Sequence, residues 1–410
     1  MKVQDAHARD AGLPLDQTSG WVNRSTIGVA AASLFSDVSH ELATAVLPAV
    51  ILSIGAGPAA LGIIEGVSDG ISTLSKLWGG VMTDRVRRRK PLASAGYLVT
   101  AVGVAAIGLC TRAWQVLLCR MAAWIGRGSR SAARDFLMSE SAPPAVLGKA
   151  FGLERAGDAL GAVLGPLLAI GLLARGFEAR HIMIWSLVPG LLAFLSIALI
   201  VVERPGGHHH ALPMGFTAKL AGISPSFRRY LVGILTFGAG DFSRTLLILY
   251  ATQNVTGSLF SLAGATLAIA LYVLHNAVSA VASLPIGALA DRIDRRTVIA
   301  VGYVFAAATT AAFAILPPTA VLLMILFVAS GLYIACEEVV EKAYAVEILP
   351  ADSKGTGLGL LAATNGMGDM VSSALVGVLW TAFPGTPAVG FLAAASLQLA
   401  GAIFIATARR

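Results

Sequence analysis

The stretch Gly80-Val81-Met82-Thr83-Asp84-Arg85-Val86-Arg87-Arg88-Arg89 closes one long apolar run, and Gly287-Ala288-Leu289-Ala290-Asp291-Arg292-Ile293-Asp294-Arg295-Arg296 closes another. The two aspartates stand 207 residues apart in a chain of 410, so the copies mark equivalent points of two halves. The same offset carries Phe35-Ser36 onto Phe242-Ser243, Pro143 onto Pro350, Gly148 onto Gly355, Gly152 onto Gly359, Asp158 onto Asn365 and Gly161 onto Gly368. A register held over so many positions marks a duplicated membrane unit, an arrangement suited to moving solutes.

Hydrophobic residues form 56% of the chain and charged residues 13%. With a mean hydropathy of +0.76, the sequence belongs in lipid rather than water. Its net charge of +7 sits in short loops between apolar runs. Membrane topology explains those cations, and no nucleic-acid partner is expected. Cys110, Cys119 and Cys336 all lie in apolar segments. They give neither a disulfide framework nor a metal spacing, and no metal or other cofactor is expected. Residues 1–24 are polar with no apolar core, so no cleavable leader is read, and 1–26 is assigned as a cytosolic tail.

A bilayer crossing takes about 20 apolar residues as helix. The runs fall at 27–53, 57–83, 91–111, 114–138, 149–174 and 181–202, then at 228–253, 258–290, 297–316, 319–346, 355–383 and 387–407. This predicts an all-α membrane protein of twelve transmembrane helices, in two pseudo-symmetric six-helix bundles over 27–202 and 228–410, joined by a cytosolic linker over 203–227. The linker carries His208-His209-His210, and three adjacent histidines do not by themselves close a coordination sphere. Cations cluster after the second run (Arg85 to Lys90), after the eighth (Arg292, Arg295, Arg296) and at Arg409-Arg410. Alternate turns hold few beyond Arg112, Arg175 and Arg180, which places both termini in the cytosol and the chain, read as a monomer, in the cytoplasmic membrane.

The pattern G-x-x-x-D-R with trailing cations, twice and each time after an even-numbered run, resembles the signature loop of the major facilitator superfamily, and the resemblance covers the whole layout. It implies that Gly80, Asp84, Arg85 and Arg88, with Gly287, Asp291 and Arg292, form cytosolic gate loops. In such loops the aspartates cap or pair with a neighbouring helix and the arginines bind acidic partners. The small glycines allow close helix approach, and a carboxylate at a helix end accepts N–H groups or an arginine fork. The family's usual glycine three residues after the aspartate is Arg87 here and Asp294 in the second copy. Aspartate tolerates a left-handed turn there better than arginine does. The plainer reading is that these cations only set topology, which the paired aspartates do not need.

An ionisable residue at mid-bilayer costs at least about 2.5 kcal/mol, so it lines a cavity or finds a partner. Asp37, His40 and Glu41 lie midway along the first run and Glu65 and Asp69 in the second, each carboxylate pair four residues apart on one helix face. Arg127, Arg130 and Arg134 make a basic stripe on the fourth run, and Asp158 lies on the fifth. Under the 207-residue offset the signs reverse: Asp37 becomes Arg244, Arg130 becomes Glu337 and Arg134 becomes Glu341. The resemblance implies that the first, fourth, seventh and tenth helices line a central path, so these opposite charges are expected to face across it. Three roles compete for them: ion pairs that fix helix register, a proton carrier led by Asp37 and Glu41, and contacts to a charged small-molecule or ion substrate.

The fifth run holds Gly157, Gly161 and Gly165 with Pro166, a smooth face and a bend. This resembles the antiporter motif of exporter branches, without its following glycine pair; ordinary close packing is the alternative. The first reading is proton-coupled efflux, and the second is a proton-coupled importer or facilitator of a small organic ion or metal chelate. A third, a receptor on the same fold, would be expected to carry a large soluble appendage. No catalytic triad, phosphate loop or dinucleotide motif stands in a suitable context, so no enzyme is expected.

Overall fold

The computed structural model describes residues 22–143, 146–203, 224–259, 262–349, 354–384 and 387–407, without the side chains at 77, 84, 147, 148 and 354–356. The tail at 1–21, most of the linker with its three histidines, and the last residues 408–410 lie outside this set. In the first half the helices are α1 (Arg24–Ser53), α2 (Pro58–Arg85), α3 (Arg89–Ala106), α4 (Ala113–Ser141), α5 (Leu147–Ala174), α6 (Ala179–Trp185) and α7 (Leu187–Leu195). The second half has α8 (Pro225–Gly238), α9 (Arg244–Asn254), α10 (Gly264–Ala290), α11 (Arg295–Ile315), α12 (Ala320–Ile348), α13 (Lys354–Ala382) and α14 (Ala388–Thr407). Among the described residues there are no strands, only isolated bridges at Thr256–Thr319 and Leu259–Leu262.

Local chemistry sets the helix ends. Asn23 caps α1, its side chain accepting from the backbone N–H groups of Ser25 at 2.9 Å and Thr26 at 3.1 Å. Gly55, at φ 74°, turns the chain before Pro58 opens α2. Asp294 has φ −53° and caps α11 by accepting from Thr297 N–H at 3.1 Å. The left-handed turn considered for this position is therefore not formed, because the capping bond needs an extended aspartate.

Among the described residues, eight helical stretches are long and apolar enough to cross a membrane. One joins α6, α7 and the wider turn Ser196–Ile200 into Ala179–Ile200. Helices α2, α4 and α13 have 28, 29 and 29 residues and carry more charge. The run expected as one helix over 228–253 is broken between Gly238 and Arg244. There the N–H groups of Gly240 and Asp241 bond back to Phe237 and Gly238, and the Ser243 hydroxyl caps α9. A Cβ at Gly240 would strike the Ala394 carbonyl, so the break also lets α14 approach. Irregular backbone at this depth is tolerated because it is buried in protein.

Packing differs between the two ends of the molecule. At the end away from the Asp84 and Asp291 loops, one apolar core joins both halves of the chain, from Leu42–Ile51 of α1 to Leu246–Ala251 of α9 and Phe391 of α14. At the loop end the cores are separate: one around Tyr97, Leu137 and Ile197, the other around Phe227, Tyr303 and Val340. The halves are thus closed at the far end and parted at the loop end. Helices α2 and α13 meet through small residues, with Gly62 beside Gly377 and the Ala59 N–H donating to Thr381 Oγ1 at 3.0 Å. Helix α5 packs on α1 through Gly157, Gly161 and Gly165, where an added Cβ would lie 2.8 Å from Ala30 O, 2.7 Å from Leu34 O and 2.7 Å from Leu42 N. Pro166 lies inside an unbroken α5.

A Cβ at Gly66 would run into the Met370 carbonyl across the α2–α13 contact, whereas at Gly171 it would meet nothing within 4 Å. We expect Gly66→Val to lose about 1–3 kcal/mol of stability and Gly171→Val to change little, as read by thermal unfolding in detergent.

Candidate functional site

The parted loop end opens into a vestibule of about 680 Å³ between the halves, walled by α1, α4 and α5 on one side and by α9, α10 and α12 on the other. Its lining is polar and each wall carries both signs, with Asp37, Glu41, Asp158, Arg127 and Arg155 on the first half and Arg244, Lys342 and Glu338 on the second. Helix α5 presses Gly161 and Gly165 against α1 at the backbone that carries Asp37 and Glu41, fixing both carboxylates in the wall.

The two leading carboxylates of α1 have different partners. Asp37 is held by Arg127, Nη2 to Oδ1 at 3.1 Å. Glu41 accepts a 2.7 Å hydrogen bond from the Tyr272 hydroxyl of α10, a contact between the halves, and lies 3.9 Å from His40 Nε2. His40 itself packs against Trp124 with ring centroids 4.9 Å apart.

Deeper in the first half, Glu65 is buried with Arg120, whose Nη2 lies 2.6 and 2.8 Å from the two carboxylate oxygens. The Ser243 hydroxyl of the second half also donates to Glu65, at 3.3 Å. The Arg120 guanidinium lies over the Trp124 ring at 4.0 Å, and Trp124 Nε1 donates to Asp69 at 3.1 Å. Sequence reasoning singled out Glu65 and Asp69 as site residues but did not count Arg120 among them. The signal was there: an arginine inside an apolar run must find a partner.

Of the three sign-reversed pairs, only Asp37 and Arg244 line the same cavity. Arg130 lies 3.7 Å above the Tyr97 ring and donates to Ser36 at 2.6 Å, and Arg134 binds Glu154 at 2.9 Å, both within the first half. Glu341 stays within the second half, accepting from Tyr303 and, at 2.8 Å, from Asn365. The expected facing of Arg130 with Glu337 and of Arg134 with Glu341 is not made. Where the halves are parted, Arg130, Arg134 and Glu341 find their partners inside their own half. Asp158 lies 3.6 Å from Arg155, and Arg244 lies 3.5 Å from Asp241, a carboxylate in the helix break that sequence reasoning did not single out.

The loop residues also bond locally. Asp291 accepts from Arg295 at 2.8 Å, and Arg295, not Arg292, reaches Glu347 of α12 at 3.0 Å. Arg85, Arg88 and Arg292 are exposed, and the side chain of Asp84 lies outside the described residues. An added Cβ at Gly80 would meet nothing within 4 Å, and at Gly287 only Val339, at 3.3 Å, so neither glycine marks a backbone-close contact. Among the described residues no group of histidine, cysteine and acidic side chains could hold a metal ion, and the three cysteines are free thiols.

A family model described as Major Facilitator Superfamily matches residues 29–271 and 231–410. An uncharacterized MFS-type transporter of Methanocaldococcus jannaschii is 29% identical over 353 residues, covering 86% of this chain and 87% of that protein. An uncharacterized protein of Mycobacterium tuberculosis is 31% identical over 156 residues, 38% of each chain. Among solved structures, the nucleoside transporter NupG superposes with a TM-score of 0.77 at 13% identity, covering 94% of this chain and 99% of that one. A bacterial homologue of the human lysosomal transporter Spinster, described as inward-facing and unoccupied, gives a TM-score of 0.73 at 16% identity, covering 93% and 94%.

Removing one partner of the Glu65–Arg120 pair strands a buried charge. Glu65→Ala is expected to cost about 3–5 kcal/mol, and adding Arg120→Met to it should recover most of the loss in a thermal melt. A double variant no more stable than the single one would contradict the pairing.

Proposed function

The chain belongs to the major facilitator superfamily, and from that premise we propose that it is a proton-coupled exporter of a small polar solute, acting by alternating access in the cytoplasmic membrane. Eight apolar helices make it a multi-pass membrane protein. The twelve-crossing reading counts α2, α4 and α13 as further spans and the α8–α9 pair as the broken twelfth. Two six-span bundles over 27–202 and 228–410 are supported by the separate cores at the loop end. Taking the cationic loops as cytosolic, with both termini on that side, the vestibule opens to the cytosol.

The observation that carries the coupling is the Glu41–Tyr272 bond. A carboxylate locked to an arginine, as Asp37 is to Arg127, cannot be neutralised without stranding the cation. Glu41 has no such partner. It accepts from a neutral phenol on the opposite half, so it can take a proton without leaving an uncompensated charge, and the bond breaks when the halves separate at that level. Protonation of Glu41 is thereby tied to the rocking of the halves. Glu41 lines the vestibule through which a solute would enter, which supports exchange of proton for solute. The glycine stripe of α5 belongs to this machinery because it seats the backbone of Asp37 and Glu41.

The test uses proteoliposomes with a pH-sensitive dye inside and small polar amines, amino acids and organic anions added outside. Antiport alkalinises the lumen as solute enters, and Glu41→Gln is expected to abolish the response while the variant remains folded and inserted. Unchanged proton flux in Glu41→Gln would remove that residue from the coupling role. Acidification in the wild-type protein would replace export with the second reading, proton-coupled import.

A further inference from the structure

Behind the vestibule lie two smaller chambers that the coupling argument leaves unused. The first, of about 180 Å³, sits beneath the apolar seal and is lined by His40 and Thr44 of α1, Arg120 of α4 and Thr245 of α9. The second, of about 250 Å³, lies toward α12 and α13 and holds six carboxylates against three cations, Lys76, Arg244 and Lys342. Asp69, Arg244 and Asp369 line both chambers, so these three residues form the wall between them.

The first chamber also carries Glu65, bound to Arg120 Nη2, and the two chambers differ in which groups they leave unpaired. In the first, Arg120 is 1% exposed and Thr44 6%, yet Arg120 Nε, Arg120 Nη1 and Thr44 Oγ1 have no hydrogen-bond partner. Buried donors in native proteins are almost always paired, and these line an empty space that an acceptor group would fill. In the second, Glu337 Oε2 is buried without a partner. The Asp369 carboxylate faces both chambers with no hydrogen bond to it among the described residues. An excess of carboxylate over cation between packed helices calls for a positive charge from the occupant.

We propose that the paired chambers form one binding site for a small dipolar amine, with its ammonium group on Asp69, Asp369 and Glu337 and its carboxylate at Arg120 and Thr44. This names the solute class for the function proposed above and rests on that reading for its transport role, though not for binding. Arg244, between the two ends, balances the carboxylates around it and keeps the second chamber from taking a bare dication. The separation of the donor and acceptor ends across the Asp69–Asp369 wall selects by the distance between the two charges of the solute rather than by apolar contact.

Binding to the purified full-length protein in detergent tests this by calorimetry and thermal shift. The probes are glycine, γ-aminobutyrate and ε-aminocaproate, with butylamine and butyrate as single-charge controls. At least one amino acid is expected to bind more than tenfold tighter than either control. Asp369→Asn should weaken it about 10- to 100-fold, and Thr44→Val about 2- to 10-fold, by loss of a charged and a neutral hydrogen bond respectively. Thr44→Val leaves every ion pair in place, so it stays informative if the aspartate variant does not fold. Equal binding of butylamine would overturn the dipolar assignment, and no binding of any amino acid would mean that the chambers hold water only. An amino acid that binds as expected but drives no proton flux in proteoliposomes would leave the site standing and overturn the transport reading.

Discussion

A charge inside hydrocarbon has no water to turn to, so every ionised group within this bundle must be met by the protein itself. That constraint organises the interior. Arg120 is spent on Glu65 and Trp124, Arg130 on Tyr97 and Ser36, Arg134 on Glu154. Each arrangement ties two or three helices of one half at a fixed depth. Glu41, Arg244 and Asp369 face the open spaces, and so does Arg120, whose Nε and Nη1 Glu65 does not take.

Closure at one end and separation at the other follow from different forces. The far end is held by apolar side chains from both halves, and the α2–α13 and α5–α10 contacts are held by small residues and by bonds such as Asn276 Nδ2 to Ala162 O at 3.0 Å. Apolar contacts are non-directional and re-form at small cost, and a single neutral hydrogen bond adds about 0.5–1.5 kcal/mol net. The ion pairs do not re-form so readily, and they lie within the halves rather than between them. Motion between the halves therefore leaves the costly pairs intact.

Much of this architecture was legible because a 207-residue repeat and the apolar runs are one-dimensional signals. Helix bounds came within a few residues of the runs, since length and hydropathy fix them. The break in the seventh run escaped because Gly240-Asp241 reads as an ordinary interruption in an apolar stretch, and only the approach of Ala394 and the capping by Ser243 give it a reason. The pairing pattern was the least legible. Sign reversal under the offset located Arg130, Arg134, Glu337 and Glu341, but whom a side chain meets depends on helix rotation and on the state of the halves. Arg120 and Tyr272 illustrate the same limit: the partner of one, Glu65, stands on another helix, and the other carries a hydroxyl whose use depends on a residue 231 positions away.

The thick apolar seal above Glu41 shapes the electric field as well as the water. A wet vestibule conducts, so the membrane voltage falls across the dry plug from Leu42 to Ile51 and Leu246 to Ala251. At about 2.3 kcal/mol per elementary charge per 100 mV, a proton reaching Glu41 on the proposed coupling would meet little of that drop. On that proposal the work done by or against the voltage would be concentrated in the step that moves the plug, and the reorientation of the halves would carry the electrogenic burden.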